Sequence, residues 1–321
     1  PFNFSAIGGN LATLPILMGN TVFWKPSESS LLSNKLLYDI FIESGMPKDK
    51  LNFIIADPKN YLDIITKEPN LAAIMFTGSS DVFSDIYSKI GENINLYNNY
   101  PRLIGETGGK NFHFIDKDCN LDLAIKETFE SAFNYSGQKC SACSRVYVPS
   151  NLYKPFLDGL ITMIDKMDAE LYGLINEKSY NRVVNIIEKL RSDKSIIYGG
   201  NYNNNKTYYI QPTIVENYSN RDIFRDEYFA PILSIHSYTN EIDALEKIKN
   251  DTNYSLTGSI FSNNSKTIDY LYNKLLLTCG NFYINTKSTG AVVGQQPFGG
   301  MGKSGTNDKA GDINLLYRLC N

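Results

Sequence analysis

The sequence predicts an α/β fold in which a parallel, helix-covered sheet is followed by a second α/β domain. Three observations carry this expectation. Short apolar runs alternate with helical periodicity from Thr21 to Ser80, the spacing changes after Gly108-Gly109, and 42% of the 321 residues are hydrophobic, enough for two cores of ordinary domain size. Thr21-Val22-Phe23-Trp24 reads as a strand, and Leu31, Leu32, Leu36, Leu37, Ile40 and Phe41 follow at helical spacing up to Gly45. Leu51 to Ile55 opens a second unit of this kind. Ala72 to Phe76 opens a third, ending in Thr77-Gly78-Ser79 ahead of another helical pattern. Strand-helix units in series make a parallel sheet the economical arrangement.

Beyond Gly108-Gly109 the spacing predicts strands at Asn111 to Ile115, Arg145 to Val148, Ile232 to His236 and Leu256 to Phe261. Helical segments near 121 to 134, 151 to 168, 176 to 192, 240 to 249 and 264 to 276 separate them. Gly199 to Asn205 is Gly- and Asn-rich and reads as a surface turn. Domains are therefore expected at 1–107 and 108–305, with 306–321 as a closing segment that returns to the first.

Composition removes several function classes. The formal net charge is −3 and Lys and Arg are scattered, so there is no basic stripe to track a phosphate backbone, and nucleic acid is not an expected partner. The most apolar stretch, Leu11 to Trp24, is broken by Pro15, Gly19 and Asn20 and falls short of the roughly 20 unbroken apolar residues of a membrane span, so none is expected. Five cysteines at irregular spacing argue for a reducing compartment rather than a disulfide framework. Cys140-Ser141-Ala142-Cys143 is formally Cys-x-x-Cys, but the only histidines are His113 and His236, both in strand-like runs, and a four-ligand zinc site is not expected. Gly300-Met301-Gly302-Lys303-Ser304-Gly305 fits Gly-x-Gly-x-x-Gly yet follows a loop, and Pro297 stands where a full phosphate loop needs glycine, so the motif is discounted.

Two segments point to chemistry. Gly137-Gln138-Lys139-Cys140 places a thiol after a helical stretch and a glycine turn, beside a lysine, where it can be held exposed and deprotonated. Gly105-Glu106-Thr107-Gly108-Gly109-Lys110 sets a carboxylate at an apolar strand end among glycines that let the backbone approach a ligand, the setting of a poised base.

Pro1-Phe2-Asn3-Phe4, Trp24-Lys25-Pro26-Ser27-Glu28, Phe76-Thr77-Gly78-Ser79, these two segments, Glu227-Tyr228-Phe229 and Pro297-Phe298-Gly299-Gly300 occur in the order seen in the aldehyde dehydrogenase superfamily, which the chain resembles over essentially its whole length. Gly108 to Phe114, Gly137 to Tyr147 and Lys287 to Gly300 are most similar to the branch that oxidises glutamate-γ-semialdehyde, the Δ1-pyrroline-5-carboxylate dehydrogenases. The resemblance implies an aldehyde dehydrogenase fold, with 1–107 forming the C-terminal part of a Rossmann-like NAD-binding domain, its sheet incomplete, and 108–305 forming the catalytic domain. It implies oxidation of L-glutamate-γ-semialdehyde to L-glutamate through a cysteine thioester, in proline breakdown, with NAD as cofactor. Other carboxylate-bearing aldehydes, such as succinate semialdehyde, and a non-catalytic remnant remain as alternatives.

Residue by residue, Cys140 matches the nucleophile, Asn3 the side-chain amide that binds the oxyanion with the Cys140 N–H, and Glu106 the base that activates water. Lys25 and Glu28 match ribose contacts on the adenosine side, and a carboxylate at Glu28 disfavours the 2′-phosphate of NADP. Gly78 and Ser79, Ser80, Asp81 and Val82 match the turn that faces the pyrophosphate, Glu227 the nicotinamide-ribose ligand and Phe229 the aromatic beside it. Gly290 and Ala291 are expected to supply backbone N–H donors to the substrate's α-carboxylate, Ser141 a hydroxyl, and Phe4 and Phe298 the walls around its aliphatic chain.

The chain departs from the family at Met167 to Asn176, which is shorter than expected, and at Ala230, where glycine is usual and a methyl group is expected to crowd the loop beside the nicotinamide. Family members carry a further N-terminal portion, so the chain is expected to be a fragment with little or no turnover by itself, and the full-length form a homodimer or larger homo-oligomer. The resemblance places that form in the mitochondrial matrix, or in the cytoplasm of a prokaryote.

Overall fold

The computed structural model describes residues 1–320 apart from 168–172, 205–206, 218 and 220–221. Half of the shortened stretch from Met167 to Asn176, residues 168–172, therefore lies outside the described residues. The chain divides into one unit made of 1–107, 293–299 and 304–321 and another made of 108–292 and 300–303.

The first unit begins with helix α1 (Ser5–Leu17), followed by β1 (Val22–Trp24), α2 (Leu31–Glu43), β2 (Leu51–Phe53), α3 (Pro58–Ile65), β3 (Ala73–Thr77), α4 (Ser80–Glu92) and β4 (Arg102–Glu106). The alternation expected from Thr21 to Ser80 is present, and both ladders, β1 with β2 and β3 with β4, are parallel. They remain two separate two-stranded ladders rather than one sheet. Ala12, Trp24 and Leu51 form the core beneath the first, and Phe83, Ile86, Ile90 and Leu103 the core beneath the second. Leu32, Leu36 and Ile40 recur at the helical repeat on α2 but face outward, so periodicity located the helix without locating its buried side.

Helix α1 was not anticipated, because Pro15 reads as a breaker. It stands in the last turn, where the Pro15 carbonyl accepts from the Met18 and Asn20 N–H groups and terminates the helix. No helix among the described residues is long and apolar enough to cross a membrane.

The second unit holds β5 (Asn111–Ile115), α5 (Leu121–Phe133), β6 (Cys143–Pro149), α6 (Ser150–Asp165), α7 (Glu177–Ser192), β7 (Ile196–Tyr198), the short pair β8 (Tyr202–Asn203) and β9 (Tyr209–Ile210), β10 (Thr213–Val215), α8 (Asp222–Arg225), β11 (Ile232–Tyr238), α9 (Glu241–Asn250), β12 (Tyr254–Ser255), β13 (Thr257–Phe261), α10 (Ser265–Leu275), β14 (Asn281–Ile284) and β15 (Met301–Gly302). Helix α11 (Ile313–Tyr317) belongs to the first unit, where Leu315 and Leu319 pack on Ile104.

Seven strands form one sheet in the order β14-β13-β5-β6-β11-β10-β7, parallel throughout except for the β10 and β7 pair. Inner strands such as β5 and β13 are buried on both faces, which is why they read as near-continuous apolar runs. Alternation along β5 sends Phe112 and Phe114 to the core beneath α9 and α10, and Ile115 to the core beneath α5 and α6. His113 shares the Ile115 face, and its imidazole reaches Thr128 of α5. The Gly300 to Gly305 segment carries β15, which pairs antiparallel with β12 through Ser255 and Met301. It opens no helix and so lacks the anion site of a phosphate loop.

Candidate active site

In the first unit, Glu106 ends β4. Its Oε1 is out of solvent and has no hydrogen-bond partner among the described residues, although the residue as a whole is only partly buried. Burial pushes the carboxyl up to about 8, opposed by the positive charge of Lys309. Gly299 makes this fit possible, since a Cβ there would lie 2.6 Å from Oε1. The strand end is held from the other side by an antiparallel bridge to Gly305 and by paired bonds between Gly105 and Thr306.

Asn3 lies just ahead of α1, whose N-cap position is taken by the half-exposed Phe4. Lys25 donates to the Pro26 carbonyl at 2.9 Å, and its ammonium is lowered by burial against the opposing influence of Glu28 and Asp57. Asp57, a second carboxylate beside Lys25, was not singled out from sequence. Gly78 closes on the Phe76 ring, and its N–H bonds the Glu106 carbonyl at 3.1 Å. Ser79 caps α4, accepting from the Val82 N–H at 3.3 Å, with Ser80 and Asp81 in the first turn. Phe298 is bridged to Ala310 by a pair of 2.8 Å bonds.

In the second unit, the thiol follows a turn of unusual backbone. Tyr135, Ser136 and Gly137 all have positive φ, at 56°, 54° and 65°, a conformation that costs about 1 kcal/mol or more at each non-glycine residue. Gly137 lies against the Ala230 carbonyl, so a side chain there would overlap it. The Ala230 carbonyl is thus a close neighbour of this turn.

Asn111, at the start of β5, holds the loop beyond the turn. Its amide donates to the Cys140 carbonyl at 2.7 Å and to the Ala142 carbonyl at 2.8 Å, while its oxygen accepts from the Thr257 N–H. Cys140 is partly exposed; Cys143 is buried at the start of β6, where desolvation pushes its thiol well above the usual range. The two cysteines of the Cys-x-x-Cys pattern therefore differ in burial.

Gly109 connects this loop to Glu227. Its N–H donates to Glu227 Oε1 at 2.8 Å, and a Cβ on it would overlap the Cys140 carbonyl oxygen. A Cβ on Gly108 would overlap the other carboxylate oxygen of Glu227. Desolvation raises Glu227 to about 7, while the Gly109 bond, Lys110 and Arg182 act to keep it ionised. Lys110 is fully buried, lowered by that burial to about 7, and points at the Tyr228 ring 4.5 Å from Nζ. Phe229 follows with φ 49°. Gly109→Ala should lower the unfolding free energy by about 1–3 kcal/mol and reduce the amplitude of any first-turnover product burst, as checked by urea unfolding and stopped-flow.

The segment after β14 differs in one respect from expectation. The Gly290 N–H donates to the Lys287 carbonyl at 3.0 Å, so it closes a turn instead of standing open as an anion donor. Ala291 is exposed and Ser141 partly exposed. The segment is fixed to α5: Glu127 accepts from the Lys287 N–H at 2.8 Å and from the Thr286 hydroxyl at 3.2 Å, and Lys287 pairs with Glu130 at 2.7 Å.

The family model described as the aldehyde dehydrogenase family matches residues 1–319. The chain belongs to the aldehyde dehydrogenase family. Among similar members of it, the mitochondrial delta-1-pyrroline-5-carboxylate dehydrogenase of Danio rerio is 40% identical over 99% of this chain and 60% of its own length. That of Emericella nidulans is 42% identical over 99% of this chain and 59% of its own. A crystal structure of the Delta-pyrroline-5-carboxylate dehydrogenase from Mycobacterium tuberculosis bound with NAD superposes with a TM-score of 0.91 at 36% identity, over 100% of this chain and 61% of the other. The chain thus spans about 60% of the length of these aldehyde dehydrogenases.

Proposed function

We propose that this aldehyde dehydrogenase chain oxidises L-glutamate-γ-semialdehyde to L-glutamate in proline breakdown, with Cys140 as nucleophile and NAD as hydride acceptor. The observation that carries this reading is the double use of Gly109. The residue whose N–H orients the Glu227 carboxylate is also the one against which the Cys140 carbonyl packs. The thiol loop and a buried, ionisable acceptor suited to a sugar diol are thereby locked together. The residues present fit the cofactor: Glu227 would hold the nicotinamide ribose, with Phe229 packed beside it, Gly78 and Ser79 to Val82 would face the pyrophosphate, and Lys25 and Glu28 would take the adenosine ribose.

The chemistry follows from the residues. The Cys140 thiolate adds to the aldehyde carbon, and the carbonyl oxygen takes up the displaced electron pair. The Cys140 N–H and the Asn3 amide hold that oxyanion, each such donor being worth about two to three orders of magnitude in rate. When bound, NAD accepts the hydride that leaves this carbon, and a thioester remains on Cys140. Glu106 then removes a proton from water, the hydroxide adds to the thioester carbon, and the C–S bond breaks to release the acid and the thiolate. Ala291 and Ser141 would meet the substrate's carboxylate, with Gly290 shaping the loop and Phe4 and Phe298 lining the chain.

Relatives named as mitochondrial support a mitochondrial address, and we take the complete protein to be a homodimer or larger homo-oligomer. The test is substrate competition in the complete protein. L-Glutamate-γ-semialdehyde should be preferred over succinate semialdehyde by at least tenfold in kcat/KM; a reversed preference would reassign the substrate, and no NADH formation with either would point to a non-catalytic remnant.

A further inference from the structure

Behind the thiol loop runs a chain of hydrogen-bonding side chains that the reaction above leaves unused. Thr128 and Ser131 project from α5, His113 from β5 and Ser288 from the segment after β14, and all four are fully buried. The Ser288 hydroxyl lies 2.9 Å from the Ser131 hydroxyl and 3.0 Å from the Ser141 carbonyl. The Ser288 N–H lies 3.0 Å from His113 Nε2, and His113 Nδ1 lies 2.8 Å from the Thr128 hydroxyl. The Cys143 N–H reaches the Ser131 hydroxyl at 3.2 Å.

Donor counting gives this chain a single direction. A carbonyl only accepts, so the one proton of the Ser288 hydroxyl goes to Ser141, and Ser288 must accept from Ser131. Ser131 accepts in turn from the Cys143 N–H. Because His113 Nε2 accepts from an N–H, the ring is neutral with its proton on Nδ1, donating to Thr128. Desolvation agrees, holding the imidazole down at about 3. Ser288 is where the lines meet: it binds β5 through its N–H and both α5 and the thiol loop through its hydroxyl.

We propose that Ser288, held by His113, is the positioning residue that fixes the span between Cys140 and the anion-binding groups, so that the site measures the distance from aldehyde to carboxylate. The proposal rests on the reading that Ala291 and Ser141 receive the substrate's carboxylate. Ser288 lies three residues before Ala291 and bonds the carbonyl of Ser141 itself, which follows the nucleophile. The Thr257 hydroxyl also donates to the Ser141 carbonyl, at 3.3 Å, and holds it to β13; Ser288 is the side chain that couples Ser141 to the segment carrying Ala291. Without it the loop keeps its Glu127 and Glu130 attachments to α5 but loses the hydroxyl bond to the Ser141 carbonyl, and a substrate held at both ends loses register where one held only at the aldehyde does not.

The experiment compares L-glutamate-γ-semialdehyde with pentanal, an aldehyde without a carboxylate, in the complete protein. Ser288→Ala should raise KM for the semialdehyde about tenfold or more, with kcat/KM for pentanal within twofold of the parent. His113→Leu should act the same way. His113→Gln, whose amide can accept from Ser288 and donate to Thr128, should restore most of the preference. Equal losses toward both aldehydes in Ser288→Ala, or a His113→Gln variant no better than His113→Leu, would overturn the proposal. If Ser288→Ala does not fold, the two His113 variants decide. A parent protein that does not prefer the semialdehyde over pentanal would instead defeat the substrate reading on which the proposal rests.

Discussion

In the complete protein Cys140→Ala should abolish the pre-steady-state burst of NADH, which in the parent should approach one equivalent per chain, and should lower turnover by on the order of 10⁴- to 10⁶-fold. The size of this effect follows from the covalent path. Without the sulfur there is no adduct from which hydride can leave, and a methyl group offers no substitute nucleophile. The Asn111 bonds are made to the Cys140 and Ala142 carbonyls, not to the sulfur, so the loop should stay in place and cofactor affinity should change little. A burst that survives in Cys140→Ala would move the nucleophile elsewhere; the deeply buried Cys143, with its raised pKa, is poorly suited to take the role.

The second large effect is expected at Glu106. Glu106→Gln should leave the burst intact while steady-state turnover falls about 10²- to 10⁴-fold, and intact-protein mass spectrometry should find the acyl group accumulating on Cys140. The amide is nearly the shape of the acid and fits beside Gly299 as the carboxyl does, but it cannot take a proton from water. The sign of the pH dependence follows from the raised pKa. Burial lifts the folded-state value from 4.5 to about 8, so the carboxyl is mostly protonated at neutral pH, and its basic form grows as pH rises through 8. Deacylation in the parent should increase across that window and then level off, and this rise should vanish in Glu106→Gln. Equal losses in burst and steady state would show that Glu106 serves hydride transfer as much as deacylation.

How far the residues themselves announced this arrangement depends on the distance over which each feature is made. Strands β5, β6, β11 and β13 were legible because a buried strand is a local apolar run, β1, β2 and β3, though only partly buried, because short apolar runs there alternate with helical stripes, and the helices between them because their stripes repeat locally. Strand β14 (Asn281–Ile284) and the antiparallel β7 are short and only partly buried, and they become strands through partners elsewhere in the sheet. Helix α1 was hidden by Pro15, whose effect depends on the turn in which it falls. At the site, Cys140, Glu106 and Asn3 stand in recognisable motifs. Asn111, His113, Ser131 and Ser288 carry no such signal alone. The nearest trace was Glu127, Thr128, Glu130 and Ser131, polar residues beside Ala124, Ile125, Ala132 and Phe133 on a helix that packs against the sheet.

The sequence by itself determined which groups are available: a thiol after a glycine turn, a carboxyl at an apolar strand end, and glycines where the backbone must approach closely. Only the tertiary structure decided their state. His113 and Ser288 are 175 residues apart, and the direction of every proton between them follows from donors and acceptors that meet only once the sheet has formed. Burial beside Gly299 makes Glu106 a weak acid against the opposing charge of Lys309. Residue identity is written in the chain, whereas desolvation and hydrogen-bond sense are properties of the surroundings that distant segments bring together.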